Sequence, residues 1–451
     1  MPVARVSRVP AWFRARPDRR RRVATALVLA VSLALRLAFI AGRHAAPFSD
    51  MVGYEERALL LLRGGTFQAG GVFGATYRGP GYLVFLAALF GLGGSRWWVA
   101  YLVQSLLGVA TLLGIQLLGS RLFSPRVGLI ALVLAAGYLP FLAYAQLLLP
   151  ETLFVCFVVF CVYAVVRGVQ GRSSWWMLAG GALCGAAALT RSVALLLPVA
   201  LVVWLALTPR SPPARAHPLW STRSLRGLLA FVGAMLVILA PWVARNAVEQ
   251  HRFIPGDTVG GLNLLIGNHA GAEGTFDERV VWTNPAVRVA VAQGKREAAL
   301  DAVFLDQALV WIDAHPADFL LLTGRRALYF ASGVRDWVMD GMGSHALDTL
   351  SGASYWYTWA LLSLALVGGV AGLLTGRLTV LPLACFVYFS AVVAVFYWQA
   401  RYRLPAMPFA ILLAAHALDV VAGGGKRGIA VGMLAVLGAV GLSHLSAFYG
   451  V

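Results

Sequence analysis

The 451-residue chain is 60% hydrophobic and only 12% charged, about half the charged share of an ordinary soluble domain, which excludes a soluble fold and specifies an all-α polytopic membrane protein. The net charge of +18 does not call for nucleic acid, because the arginines cluster between apolar segments, where the positive-inside rule accounts for them. Cys156, Cys161, Cys184 and Cys385 all fall in apolar runs, with neither metal-ligand spacing nor a disulfide framework.

Residues 1–22 form a basic cytoplasmic tail ending in Arg19 to Arg22, which holds the first span, roughly Val23 to Gly42, with its N-terminus inside. The segment is long for a signal peptide and has no clear small-residue cleavage site before Asp50. Arg36 lies late in this span, and an unpaired arginine at mid-bilayer costs about 2.5–3.5 kcal/mol, so it must snorkel outward or meet a partner.

The outer loop 43–96 follows, and within it Ser49 to Tyr82 gathers Asp50, Glu55, Glu56, Arg57, Arg63 and Arg78. Met51 to Leu62 has a helical apolar period and stops at Gly64 and Gly65. Gly81 to Leu92 starts after Pro80 and falls short of the about 20 residues that cross a bilayer. Both are expected to lie on the membrane surface, roofing a site at the water boundary.

Further spans are expected near Trp97 to Gly119, Val127 to Leu147, Thr152 to Val166, Trp175 to Leu189, Val193 to Leu207 and Leu228 to Val243. This arrangement puts Arg121, Arg126, Arg167, Arg172 and the basic linker Arg210 to Arg226 inside; were Gly81 to Leu92 a span, those clusters would face outward. The N-terminal membrane module thus covers 23–243. A polar outer insert, 244–354, carries two amphipathic helices divided near His315 and Pro316. The C-terminal membrane helices, 355–451, add spans near Trp356 to Leu374, Leu378 to Tyr397, Pro405 to Val421 and Ile429 to Leu445, for about eleven in all.

On this topology the outer face collects Asp50, Tyr54, Arg78, Glu151, Arg191, Arg245, Asn246, Asn263, Asn268, Arg401 and Arg403. A carboxylate among guanidiniums suits group transfer from an anionic lipid: the carboxylate takes a proton from an incoming hydroxyl and the arginines hold the phosphate being expelled. Such a leaving group is already a stable anion, so no second carboxylic acid is required to protonate it. Bland roles stand beside these. Asp50 and Glu151 each sit where they can cap a helix, Arg78 and Arg403 can bind lipid headgroups, and Arg191 and Arg245 can simply flank spans. A divalent metal ion held through Asp50 or Glu151 is compatible with the sequence, which does not establish one.

The acidic residue after the first span, RGPGY at Arg78 to Tyr82, LLPET at Leu148 to Thr152, LTRS at Leu189 to Ser192, PWVARN at Pro241 to Asn246, GGLNLLIGN at Gly260 to Asn268 and RYRLPAMPF at Arg401 to Phe409 occur in one order. Together they resemble the GT-C glycosyltransferases, in the branch of protein O-mannosyltransferases and lipid A aminoarabinose transferases. The resemblance implies an inverting hexosyl- or pentosyltransferase in the bacterial plasma membrane. It would take a sugar from a polyprenyl-phosphate donor at the outer face and pass it to a glycan, lipid or protein acceptor. It implies Asp50 as the catalytic acidic residue, Glu151 as the second acidic position and Arg78 near the donor phosphate, where Tyr54, Tyr82, Arg401 and Arg403 are expected to join it. Tyr77 stands where the aminoarabinose branch has a metal-ligating glutamate. Two rivals differ in kind: a lipid or solute transporter, which needs polar residues at the midplane and pseudo-symmetry, and a non-catalytic assembly protein, which has no use for a carboxylate ringed by cations.

Overall fold

The computed structural model describes residues 19–42, 46–65, 67, 73–207, 222–332, 345–374 and 379–423. Among them the chain is helical, with no strand beyond an isolated bridge between Thr275 and Trp398. It is a multi-pass membrane protein. Five helices are long and apolar enough to cross a bilayer: α1 (Arg19–Gly42), α4 (Trp97–Leu122), α7 (Glu151–Gly171), α10 (Thr222–Gln250) and the helix His345–Leu374. The expected span Val127 to Leu147 is broken instead. Its α5 (Pro125–Gly137) and the stretch Leu139–Gln146 meet at 67°, because Pro140 has no N–H with which to continue the helix. Shorter apolar helices complete the bundle, including Val380–Val395 and Met407–Ala422. A count of eleven spans is therefore not reached among the described residues. The expected Ile429 to Leu445 span, residues 1–18 and most of the Arg210 to Arg226 linker lie outside them.

α7 is the axis of the bundle. It is apolar on every side, as ETLFVCFVVFCVYAVV requires, and Phe154, Val158, Cys161, Val162 and Val166 are fully enclosed. Around it pack α4 and α8 (Ser174–Thr190). Arg36, 1% exposed on α1, finds its partners inside: it donates to Ser32 and to the Phe141 carbonyl at 3.2 Å. That carbonyl lies at the break between α5 and α7, where the helix leaves acceptors unused.

The two surface-helix expectations correspond to α2 (Asp50–Leu62) and α3 (Pro80–Gly93). α3 begins with Pro80 at its first turn and ends on Gly94 at φ +73°, the usual proline-in, glycine-out pattern. At 14 residues it is about 21 Å long, short of the about 30 Å hydrocarbon layer. The insert contributes α11 (Gly260–Gly267), α12 (Arg279–Thr283), α13 (Pro285–Ala292), α14 (Glu297–Ala314) and α15 (Pro316–Ser332). It has its own small core of Leu262, Leu265, Val281, Val287, Leu300 and Phe304.

Candidate functional site

An open cavity of ≈ 660 Å³ lies between the ends of the membrane helices and the insert, and Asp50, Arg78, Arg191, Asp257, Asn263 and Arg401 all line it. Its arginine wall is assembled from three separate turns. RGPGY brings Arg78 there because Gly79 and Gly81 press onto the end of α8. A Cβ at Gly81 would come within 2.8 Å of the Thr190 hydroxyl oxygen and 2.9 Å of backbone at Leu189 and Thr190, closer than any side chain permits. The same contact places Arg191, the residue that ends α8. RYRLP supplies Arg401 from a 3₁₀ turn, Ala400–Arg403.

Asp50 occupies the first position of α2, and its carboxylate is engaged by two arginines. Its Oδ1 accepts from Arg78 Nη2 at 2.9 Å and its Oδ2 from Arg401 Nη1 at 2.7 Å. Arg78 lies with its guanidinium 3.9 Å from the centre of the Tyr54 ring, a cation–π contact that orients it. Burial alone would raise the Asp50 pKa, but the Arg401 and Arg78 charges outweigh it and hold the carboxyl well below its usual range.

Glu151 starts α7, is 2% exposed, and binds Arg191; Arg401 Nε stands 3.9 Å from the same oxygen. Arg401 thus joins both acidic residues. Glu151 does not line the main cavity. It borders a separate space of ≈ 20 Å³ with Thr111, Tyr144 and Thr152, so its direct business is with the arginines.

The remaining expected residues divide. Tyr54 lines the cavity, while Tyr82 is buried one layer behind it, edge-on to Tyr54 at 5.2 Å and hydrogen-bonded to Gln104 at 2.8 Å. Asn263 lines the cavity from α11. Asn268 does not: it is 0% exposed and donates to the Leu264 and Val395 carbonyls at 2.8 and 3.1 Å, tying the insert to the membrane helix Val380–Val395. Arg245 pairs with Glu249 and lies over Trp242, and Asn246 holds the Ile254 carbonyl at 3.0 Å, both away from the cavity lining. Arg403 points opposite to Arg401, donating to the Tyr329 carbonyl at 3.2 Å with its guanidinium 4.6 Å from the Trp398 ring.

Several contributors carried no signal in the sequence. Tyr397 and Tyr402 share a hydrogen bond of 2.7 Å on the cavity wall. Asp257 lines the cavity with its N–H donated to Ser192 Oγ at 3.0 Å. Burial pushes its carboxyl up, against the Ser192 hydrogen bond and the Arg191 charge. Glu297, an ordinary acidic helix start by sequence, accepts from Thr76 N at 3.1 Å and from Gln250 at 2.9 Å. It thereby pins the loop that carries Arg78 to the insert. Only a contact across 221 positions reveals it.

No group of three His, Cys, Asp or Glu side chains among the described residues is arranged to hold a metal. Each oxygen of Asp50 already faces a guanidinium, and the nearest tyrosine in the loop, Tyr77, is a poor ligand for a hard divalent cation. The residues as placed do not fit such an ion.

Residues 77–244 match the family model for dolichyl-phosphate-mannose-protein mannosyltransferase. No curated relative matches the chain by sequence. Among solved structures, the oligosaccharyltransferase of Archaeoglobus fulgidus superposes in its apo form with a TM-score of 0.53 at 13% identity, covering 96% of this chain and 56% of that one. The same archaeal enzyme in complex with an inhibitory peptide and a dolichol-phosphate gives 0.52 at 12% identity, over 95% and 56%. ArnT from Cupriavidus metallidurans bound to undecaprenyl phosphate aligns at 20% identity over 89% of this chain and 81% of that one, with a TM-score of 0.43. The chain therefore spans just over half the length of the archaeal enzyme, 56%, and shares with it the GT-C membrane fold.

Proposed function

We propose that this GT-C chain is an integral-membrane inverting glycosyltransferase that moves a hexose or pentose from a polyprenyl-phosphate donor to an acceptor hydroxyl. The observation that carries the reading is the Asp50 carboxylate spanned by Arg78 and Arg401 on the wall of a ≈ 660 Å³ cavity, with Arg191 beside them. Three guanidiniums against Asp50 and Glu151 leave the cluster one positive charge in excess, which suits a phosphate monoanion or dianion. The mannosyltransferase match over 77–244 covers the Arg78 and Arg191 turns.

The geometry suggests an order of events. Without donor, Asp50 is neutralised by its two arginines and is a weak base. A donor phosphate offers Arg78 and Arg401 a better bidentate partner and draws them off the carboxylate, whose pKa then climbs toward its ordinary value. Asp50 can now take the acceptor proton. The acceptor oxygen forms its bond to the sugar C1 while the bond from C1 to the phosphate oxygen breaks, and that electron pair leaves on polyprenyl phosphate, held by Arg78, Arg191 and Arg401. Glu151 keeps Arg191 and Arg401 in place. The donor's lipid tail lies among the membrane helices. The Arg19 to Arg22 run at the start of α1 supports a cytoplasmic N-terminus, which puts the cavity on the outer face of a bacterial plasma membrane.

The test is transfer from a panel of radiolabelled polyprenyl-phosphate sugars by the purified protein in lipid nanodiscs, with Asp50→Asn as the blank. Donor-dependent, Asp50-dependent release of polyprenyl phosphate is expected; no donor turnover by wild type with any sugar would refute the assignment.

A further inference from the structure

The cavity has a second wall, and nothing in donor binding uses it. It comes wholly from the insert: Asp257, Asn263, Phe276, Glu278 and Trp282 line it, with Phe73 facing them. Its chemistry differs from the arginine wall in three ways. First, it keeps large aromatic faces in contact with solvent: Trp282 is 50% exposed and Phe276 42%, although a helix as short as α12 could have turned Trp282 into the insert core. They are braced edge-on by their neighbours, Phe73 to Trp282 at 5.9 Å, while Phe276 is tilted against Tyr397 at 5.5 Å, so each presents a fixed ring at little entropic cost. Second, its two carboxylates, Asp257 and Glu278, make no ion pair among the described residues. Third, it offers no strand edge among those residues.

We infer that the insert wall is the acceptor subsite and that it takes a neutral glycan, one sugar ring lying on Trp282 with its hydroxyls shared among Glu278, Asp257 and Asn263. A pyranose or furanose has an apolar C–H face and an equator of hydroxyls; an exposed indole satisfies the first, and the Glu278 and Asp257 side chains with the Asn263 amide satisfy the second. Other acceptors fit less well. A phosphorylated acceptor would set its anion beside the exposed Glu278 carboxylate, a like-charge contact that disfavours the wrong partner. A peptide bound by β-strand addition needs a free sheet edge, which the described helices of this wall do not supply. The hydroxyl so held attacks the sugar C1 as the C1–phosphate bond breaks, and its proton passes to Asp50.

This inference rests on the glycosyltransferase reading, so its experiment must fail separately from it. Full-length protein in nanodiscs would be given the radiolabelled donor that it turns over and one of three acceptors: short neutral oligosaccharides, a Ser/Thr-rich peptide, or the same oligosaccharides bearing phosphate. Transfer is expected to the neutral oligosaccharides. Trp282→Ala should raise the acceptor KM about tenfold or more with the donor KM unchanged, Trp282→Phe should recover most of the loss, and Glu278→Gln should raise the acceptor KM a few-fold. Transfer only to peptide or to the phosphorylated glycan would overturn the inference, as would an unchanged acceptor KM in both Trp282→Ala and Glu278→Gln. Donor hydrolysis without transfer to any acceptor would overturn the acceptor assignment alone, whereas absence of donor binding would remove the functional reading with it.

Discussion

Asp50 and Asp257 face one cavity and have been pushed in opposite directions. Asp50, on the arginine wall, is held ionised by two guanidiniums at 2.9 and 2.7 Å. Asp257, on the insert wall, is kept toward the neutral form by burial. The residue type is the same, so the difference lies in the surroundings, guanidiniums on one side and an enclosing wall on the other, which is what the proposed anion and hydroxyl partners call for. A cation cluster can be loosened by a competing phosphate, while a partly desolvated carboxyl held toward its neutral form can both accept and donate a hydrogen bond.

The sharpest way to break that contrast is at Asp50. Asp50→Asn keeps the size of the side chain but cannot take a proton, and transfer should fall about 10²–10⁴-fold, the usual worth of positioned proton transfer. A cooperative melting transition by circular dichroism would show that the protein is folded. Full activity would leave Asp50 a mere organiser of arginines. Next in size is the clamp itself. Arg401→Ala should weaken donor use by about 1.5–3 kcal/mol for a lost charged hydrogen bond, read as a raised donor KM, and Arg401→Lys should restore little because an ammonium cannot span two acceptors. Arg403→Ala is the control that the structure provides. Its side chain lies behind the lining residue Trp398 and against Tyr329 and does not itself line the cavity, so the donor KM should stay near the wild-type value.

A smaller effect is expected behind the arginine wall. Glu151→Gln removes the nearly enclosed ion partner of the half-buried Arg191 and should destabilise the protein by about 1–3 kcal/mol, measured by thermal unfolding in detergent. The donor KM should rise with it, since Arg401 loses a neighbour.

The two aspartates also predict opposite pH dependences of stability. Asp50 has a folded pKa below its unfolded one, so the stability it contributes is present above the ordinary carboxylate value of about 3.9 and is lost as pH falls below it. Asp257 has a raised folded pKa, so its contribution is present at low pH and is lost as pH climbs from about 3.9 through that raised value. The melting advantage of wild type over Asp50→Asn should therefore shrink below about pH 4, while Asp257→Asn should gain on wild type as pH rises above it. Parallel curves for the two variants would erase the distinction between the walls.

Much of this was legible in order along the chain. Pro80 marks the start of α3, Gly64 the end of α2, and His315 with Pro316 the division between α14 and α15. Each is a local signal with a local cause. Asp50, Arg78, Arg191 and Arg401 could also be picked out, because ionised groups are rare in a membrane protein and therefore conspicuous. The insert was harder to read. Trp282, Phe276 and Asp257 are unremarkable in a polar loop, where aromatic and acidic residues are common. Arg403 and Arg401, two residues apart, could not be told apart until the turn sent one toward Asp50 and the other toward Trp398.

The sequence by itself determined the class of the molecule, most of its helices and the scarcity of charge that makes its few carboxylates and guanidiniums meaningful, because hydrophobic period and helix punctuation act over a handful of residues. Only the tertiary structure decided which of those charges meet. Arg401 reaches Asp50 across 351 positions, Arg191 reaches Glu151 across 40, and Glu297 reaches Thr76 across 221. Such pairings depend on how helices stack and where turns such as Arg78-Gly79-Pro80-Gly81 can press against a neighbouring backbone, and packing of that kind is a property of the whole fold that no short window of residues encodes.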